Sequence, residues 1–353
     1  MHKSGASTIR DVARESGYSA STVSIVLNSA PLSRYIPSDT KERIQTAARR
    51  LGYRPNPLAR SLRSQRSNIV GVMVFDITDP FCTPILRGLE NSLYRSNYLS
   101  LLADSHNDPR RFERYLEMLL DRRVEGLVII ANWLVTDIKL VADLTERQIP
   151  TVIAGWAFEI ENVSTVSVDN EGGACLAMEH LYRLGHKDIA FLRGPRNLAS
   201  SGQRWKGIRS FAQSAGLRLE AKRIAELPES LDPNSSFEAG AQLTTELLRQ
   251  GKAFTALMAY DDMTALGALR ALKMKGLRVP EDCSVIGFDD VAQASLSVPS
   301  LTTVRQSMEE MGSISVEMIL GGIKAVDQKR HVPVARRKIP AELIVRESTK
   351  ALA

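Results

Sequence analysis

The run Ser19-Ala20-Ser21-Thr22-Val23-Ser24-Ile25 sets short hydroxyl and methyl side chains beside one another in a cation-rich segment. Such residues do no covalent chemistry, but they can approach base edges and phosphate oxygens closely. Residues 1–68 hold 12 Lys and Arg against 4 Asp and Glu, a net of +8, while the remaining residues hold 34 against 36, a net of −2. The whole basic excess therefore sits in one N-terminal segment, as expected of a module that grips a phosphate backbone. The second chemistry-bearing set follows the ends of short apolar runs: Asp76 and Asp79 with Phe81, Asp104, Asn132 with Trp133, Trp156, Ser200 with Arg204, Tyr260 with Asp261, and Phe288 with Asp289. Carboxylates and a guanidinium beside flat aromatic faces suit a polyhydroxylated ligand. A sugar or sugar acid is the first expectation and a nucleobase the second.

Neither set reads as a catalyst. G-x-x-x-x-G-K-[ST] and G-x-G-x-x-G are absent, and Cys82, Cys175 and Cys283 are scattered with no C-x-x-C. His180 and His186 fit a surface or packing role better than a metal site. No cofactor and no metal are expected.

The elements that must present the first set are short helices. Thr8 can cap a helix with Asp11 three residues on. Ile9, Val12 and Ala13 give that helix one apolar stripe, and Gly17 ends it. Ser19 can cap the next helix, which buries Val23, Val26 and Leu27. Its outward residues are then Ala20, Ser21, Ser24 and Ile25, with Thr22 near a phosphate. Two helices joined by a tight Gly turn form a helix-turn-helix, whose second helix enters the major groove. A third helix from Pro37 or Ser38 to Gly52, lined by Ile44, Ala47, Ala48 and Leu51, closes the small core. After it, Asn56 can cap and Pro57 can open a one-and-a-half-turn segment, Leu58 to Leu62. Alone it is too short to be stable; packed on a twin and on DNA, Leu62 can wedge into the minor groove.

The second set is positioned by alternating strands and helices. Ile69–Phe75 reads as a buried parallel strand. Strands follow at Tyr98–Leu102, Gly126–Ile130 and Thr151–Ile153, with helices at Pro109–Arg122 and near Asp137–Arg147. The alternation restarts near Val166–Asn170, with helices Glu171–Leu184, Arg204–Ala215, Glu238–Arg249 and Met263–Met274 among strands Ile189–Leu192, Ala256–Ala259 and Ser284–Phe288. This order implies parallel sheets covered by helices on both faces, here as two lobes. Ligands of such sheets bind beyond the carboxyl ends of the strands, where the second set lies. Leu301–Val304 and the helix after Gln306 are expected to return to the first lobe, and Ile339–Val345 to the second.

T-I-R-D-V-A, S-x-S-T-V-S-x-V-L-N and G-Y-R-P-N-x-x-A-R-S-L, read from Thr8 to Leu62, resemble the head and hinge of the lactose-repressor/galactose-repressor family of transcription regulators. The resemblance runs over essentially the full chain. It implies an all-α helix-turn-helix head on an α/β body of the periplasmic-binding-protein type I clamshell class. It places DNA contacts at Thr8, Tyr18, Ser19, Ala20, Ser21, Thr22, Ser24, Ile25 and Asn28 in the head and at Tyr53, Asn56, Ala59, Arg60 and Leu62 in the hinge. It places effector contacts at Asp79, Phe81, Asn132, Trp156, Ser200, Arg204, Asp261 and Asp289. Four departures stand out: Ile25 where relatives often carry Arg, Asp261 where they commonly carry Asn, Ser235 where they carry Trp or Phe, and a longer bridge between the second and third helices. Asp169 suits a helix cap better than a ligand contact.

The expected organisation is a head over 1–52, a hinge and linker over 53–68, and a ligand-binding body over 69–353. Lobe one takes 69–168 and 300–327, and lobe two 169–299 and 328–353. The expected function is an effector-responsive repressor that binds a pseudo-palindromic operator as a homodimer. No signal peptide or apolar run of membrane-spanning length is visible, so a cytoplasmic location is expected. No heptad tail follows the body, so no tetramer is expected.

Overall fold

A computed structural model describes residues 7–28, 30–53, 66–130, 149–155, 163–230, 235–251 and 254–352. It divides into an N-terminal unit ending at Ser67 and a larger unit from Asn68 onward. The helix expected near residues 137–147 lies outside the described residues.

The N-terminal unit has three helices, α1 (Ile9–Ser16), α2 (Ala20–Leu27) and α3 (Ser38–Arg50). Thr8 and Asp11 form the reciprocal capping box, and Gly17 ends α1 in the left-handed region at φ 77°, which costs a glycine little. Ser19 accepts from the Thr22 amide at 3.1 Å and so caps α2. Val12, Val23, Val26, Ile44, Ala47 and Ala48 make the core. Each fully buried Val or Ile contributes roughly 1.5–3 kcal/mol, so a unit this small has little to spare. The long bridge folds as a 3-10 turn, Pro31–Tyr35, which the sequence pattern had not indicated.

The larger unit has two six-stranded sheets. The first contains β1 (Ile69–Val74), β2 (Leu99–Asp104), β3 (Gly126–Ile130), β4 (Thr151–Ala154), β5 (Ser164–Val168) and β11 (Arg336–Ile339). Their order is β11-β5-β4-β3-β1-β2, parallel throughout. The second contains β6 (Ile189–Arg193), β7 (Ile224–Glu226), β8 (Ala256–Ala259), β9 (Ser284–Asp289), β10 (Thr302–Arg305) and β12 (Glu342–Ile344). Their order is β12-β10-β9-β8-β6-β7, and only β12 runs antiparallel.

Helices cover both faces, as buried parallel strands require. On the first sheet, α4 (Cys82–Arg95) and the long α11 (Met308–Asp327) share one core with Val70, Val72 and Val128, while α5 (Pro109–Asp121) covers Met73, Leu127 and Ile129 on the other face. On the second, α6 (Asn170–Arg183) and α7 (Ala199–Ser214) pack over Phe191, Ile286 and Phe288. Opposite them, α8 (Ser235–Arg249) and α9 (Asp262–Met274) cover Leu192, Leu257 and Val285, and the short α10 (Ala292–Leu296) lies beside α9.

The chain crosses between sheets three times: after β5, between β10 and α11, and between β11 and β12. Two expectations need correction. Residues 302–305 belong to the second lobe, paired parallel with β9, and residues 336–339 to the first, paired parallel with β5. The first assignment is fixed by polar contacts no hydropathy pattern shows. Thr303 Oγ1 donates to the buried Asp262 at 2.5 Å, and the Thr302 amide donates to Ser348 Oγ at 2.8 Å. By sheet membership, lobe one is therefore 69–168 with 308–339, and lobe two 169–306 with 342–352.

Candidate functional site

A recess between the carboxyl ends of the two sheets encloses about 980 Å³ of non-protein space, including its mouth. Asp79 and Phe81 enter from the loop after β1, and Ser200, Arg204, Asp261 and Asp289 from the second lobe. Six of the eight expected effector residues thus share one pocket; Asn132 and Trp156, like Trp133, lie outside the described residues. Ser235 also lines it.

Arg204 is the centre of this constellation. It is 7% exposed. Its Nε donates to Asn170 Oδ1 at 2.9 Å, its Nη1 to the Tyr260 carbonyl at 2.5 Å and its Nη2 to Asp289 Oδ1 at 3.0 Å. The guanidinium carbon is 3.7 Å from the centroid of Phe288 and 4.7 Å from that of Tyr260, close enough for the ring faces to attract the cation. Phe288, expected at the pocket wall, instead lies fully buried beneath the arginine. Tyr260 does line the pocket and shares a 2.8 Å hydrogen bond with Ser200; burial pushes its phenol up to about 12.

Asp289 stands at the end of β9 with φ 115°, a region that L-residues rarely enter. It accepts from Arg204 and from Gln306 Nε2. Burial pushes its carboxyl up to about 7; Arg204 opposes the rise, and Asp261 and Asp79 add to it. Next to it, Asp290 is held by Arg305 at 2.7 Å and Arg346 at 2.6 Å. Asp262 lies fully buried, accepts from Thr303 and from the Val291 amide at 2.9 Å, and is pushed well above the usual carboxylate range by burial.

Three further acids serve local structure. Asp261 caps α9 through a 2.6 Å bond from the Thr264 amide. Asp79 accepts from the Phe81 amide at 2.9 Å, an Asx turn. Asp169 caps α6 at the Gly172 amide and pairs with Lys338 at 2.6 Å. Burial opposes ionisation of Asp169, but Lys338 and the amide outweigh it and hold its carboxyl low. Asn170 and Gln306 are pocket residues that sequence reasoning missed. Both sit at crossings between the lobes, a position visible only once the strand order is known.

In the N-terminal unit, Ser19, Ala20 and Ser21 are exposed at the start of α2, and Thr22, Ile25 and Asn28 are half-buried. Thr8 is exposed and Tyr18 half-buried. Ser24 corrects an expectation: it is 8% exposed, and Asn28 Nδ2 donates to its carbonyl and hydroxyl at 2.9 and 3.3 Å. Its place at the flank of the apolar stripe turns it inward. The Tyr18 hydroxyl accepts from Thr40 Oγ1 at 3.3 Å, and the Arg43 guanidinium stacks over its ring at 5.6 Å. Tyr53 is half-buried against the core; Asn56, Ala59, Arg60 and Leu62 lie outside the described residues. Among the described residues no His, Cys, Asp and Glu group could hold a metal, and no helix is long and apolar enough to cross a membrane.

Residues 8–56 match the model of the bacterial regulatory proteins of the lacI family, and residues 178–349 match that of the periplasmic binding protein-like domain. The HTH-type transcriptional repressor PurR of Haemophilus influenzae (strain PittEE) is 33% identical over 348 residues, 98% of this chain and 99% of that one. The lac repressor dimer bound to operator and the anti-inducer ONPF superposes with a TM-score of 0.82 at 27% identity, over 98% of this chain and 100% of that one. The complex of the transcriptional regulator CelR with cellobiose gives 0.70 at 28% identity, over 97% and 99%. A basic three-helix head, a two-lobed body and a full-length relative all agree: the chain belongs to the lacI family of bacterial regulatory proteins, and it is a DNA-binding transcriptional regulator rather than an enzyme.

Proposed function

We propose that this regulator is a repressor that binds a pseudo-palindromic operator as a homodimer and takes a small sugar-like effector in the cleft between its lobes. The observation that carries the effector reading is the buried Arg204, fixed by Asn170, Tyr260 and Asp289 at the floor of a pocket rich in hydroxyls and carboxylates. Fixed polar groups on rigid elements are what a specific polar ligand needs. The cellobiose in the CelR complex is support by similarity.

In the head, Ala20, Ser21 and Ile25 read base edges, while Thr8, Tyr18, Ser19, Thr22 and Asn28 meet the backbone. Two heads on a dimer mirror the operator's two-fold symmetry, and the operator-bound lac repressor dimer supports this arrangement. The segment 53–68 couples head to body. Effector binding favours one angle between the lobes and so shifts the population of DNA-competent dimers. Gln306 bonds Asp289 and stands where β10 gives way to α11, so the pocket touches a crossing directly.

The test is an anisotropy titration of the full chain on pseudo-palindromes found upstream of its gene and its neighbours, with and without sugars. Tight binding to one duplex over random competitor, altered by a sugar and no longer altered in Arg204→Ala, is the expected result. Arg204→Ala that keeps a normal response refutes the cleft assignment.

A further inference from the structure

We infer that Asp261 makes the cleft select an effector presenting hydrogen-bond donors, a neutral polyol or an amino sugar, and reject the carboxylated or phosphorylated form of the same skeleton. The inference rests on the cleft being the effector site.

The charges lining the cleft set the sign. Among the described lining residues Arg204 is the one Lys or Arg. Its charge is already matched by Asp289 at 3.0 Å, and each of its three nitrogens donates to the protein. Two of its five N–H bonds remain to meet a neutral ligand oxygen, but no net positive charge remains to hold an anion. Asp261 differs from Asp289 in having no cation partner among the described residues. One of its oxygens takes the Thr264 amide; the carboxylate otherwise faces the pocket it lines. It can accept from a ligand hydroxyl or ammonium and cannot donate. The field of these acids is felt at Asp289: burial is the main reason its protonation is favoured, and Asp261 and Asp79 add to that against the adjacent arginine. A ligand anion would add another negative charge to that cluster, and like charges brought together at a binding site are strongly penalised. An ammonium or a row of hydroxyls would relieve it.

Asn keeps the capping oxygen, so Asp261→Asn removes the charge while preserving α9. The experiment is calorimetric titration of the full-length protein and of D261N at pH 8 with matched probe sets: glucose, glucosamine and gluconate; ribose and ribonate; cellobiose and cellobionate. For the skeleton that binds, the wild type should favour the neutral or amine member over the acid by about tenfold or more, and D261N should close most of that gap by gaining affinity for the acid. An acid that binds the wild type as well as its neutral partner overturns the inference while leaving the cleft as the effector site. A uniform loss across each set in D261N also overturns it, since Asp261 would then act only as a cap. Binding by no member of any set would overturn the sugar-like reading itself, and this inference with it.

Discussion

Arg204 Nη2 and Asp289 Oδ1 lie 3.0 Å apart at the floor of the cleft, both side chains largely shielded from water. Removing one member of a buried pair leaves the other charge uncompensated, at a cost of about 3–5 kcal/mol. The cost here should depend on pH. A folded-state carboxyl raised from 3.8 to about 7 carries stability that is present in acid and lost as pH rises through about 7. Without the arginine its rise is unopposed, so Arg204→Met should be more destabilising at pH 8 than at pH 6. Arg204→Met with Asp289→Asn should recover most of the loss. Urea denaturation of the wild type, the single variant and the double variant at both pH values measures this; equal costs at pH 6 and 8 would contradict it.

The recognition helix gives a paired test. Ser21 is exposed and Ser24 is buried. Ser21→Ala should change the ranking of operator variants at one position, within the roughly 1–3 kcal/mol typical of one base pair, and leave the head's stability alone. Ser24→Leu should instead overpack the core of Val12, Val23 and Val26 and destabilise the head by about 1–3 kcal/mol. Hydrogen exchange of the full chain separates head from body, and a binding screen over operator variants separates ranking from overall affinity. A Ser24 variant that changes ranking at full stability would return that residue to the reading face.

The closest helix approach in lobe one gives another. A Cβ on Gly88 of α4 would stand 1.9 Å from the Glu309 carbonyl oxygen of α11, and one on Gly312 of α11 would stand 2.1 Å from the Ile85 carbonyl oxygen of α4. Neither obstacle is a flexible side-chain end. Gly88→Ala and Gly312→Ala should each cost at least about 1–3 kcal/mol by forcing the helices apart. Gly321, on the same helix, has nothing within 4 Å of its Cβ position, so Gly321→Ala should be neutral or stabilising by up to about 1 kcal/mol. Thermal denaturation of the three variants decides; a Gly88→Ala protein as stable as the wild type would refute the close-approach argument.

The physical source of each signal explains how much was legible from residues alone. Ile69–Val74 and Ala256–Ala259 announce themselves as buried strands because water is excluded from both faces. Arg336–Ile339 does not: it is an edge strand with three exposed cations, and only its pairing with β5 makes it a strand. Ile224–Glu226 is half-buried and three residues long, too short for any period. The Pro31–Tyr35 turn exposes Leu32 and Tyr35 and stacks Arg34 on the tyrosine ring at 4.6 Å, a local contact without periodicity. Arg204 and Asp289 were legible because polar residues past buried strands need a reason to be there. Gln306 was not, because nothing in the residues of Thr302–Arg305 shows that this strand pairs with β9. Asn170 was hidden beside a helix cap.

The C-terminal segment is tied to lobe two through histidine, and this gives an acid-sensitivity test. His186 is fully buried; Nδ1 meets Thr255 Oγ1 at 2.9 Å and Nε2 meets the Lys350 carbonyl at 3.0 Å. A carbonyl only accepts, so Nε2 carries the proton and Nδ1 accepts from the threonine in the neutral ring. Beside it, His180 Nε2 meets Thr349 Oγ1 at 2.9 Å. Burial lowers both rings below the ordinary 6.5, the Lys350 carbonyl partly opposing this at His186 and the neighbouring His186 adding to it at His180. The unfolded chain therefore takes protons more readily than the folded one. The stability contributed by the neutral rings is complete above about pH 6.5 and falls as pH drops through the lower folded values. His186→Gln should remove part of that dependence. From pH 7.5 to pH 5 the wild type should lose more stability than the variant, with a ceiling of about 1.4 kcal/mol per pH unit for one proton. Parallel stability curves for the two proteins over that range would show that His186 titrates alike in both states and would refute the sign argued here.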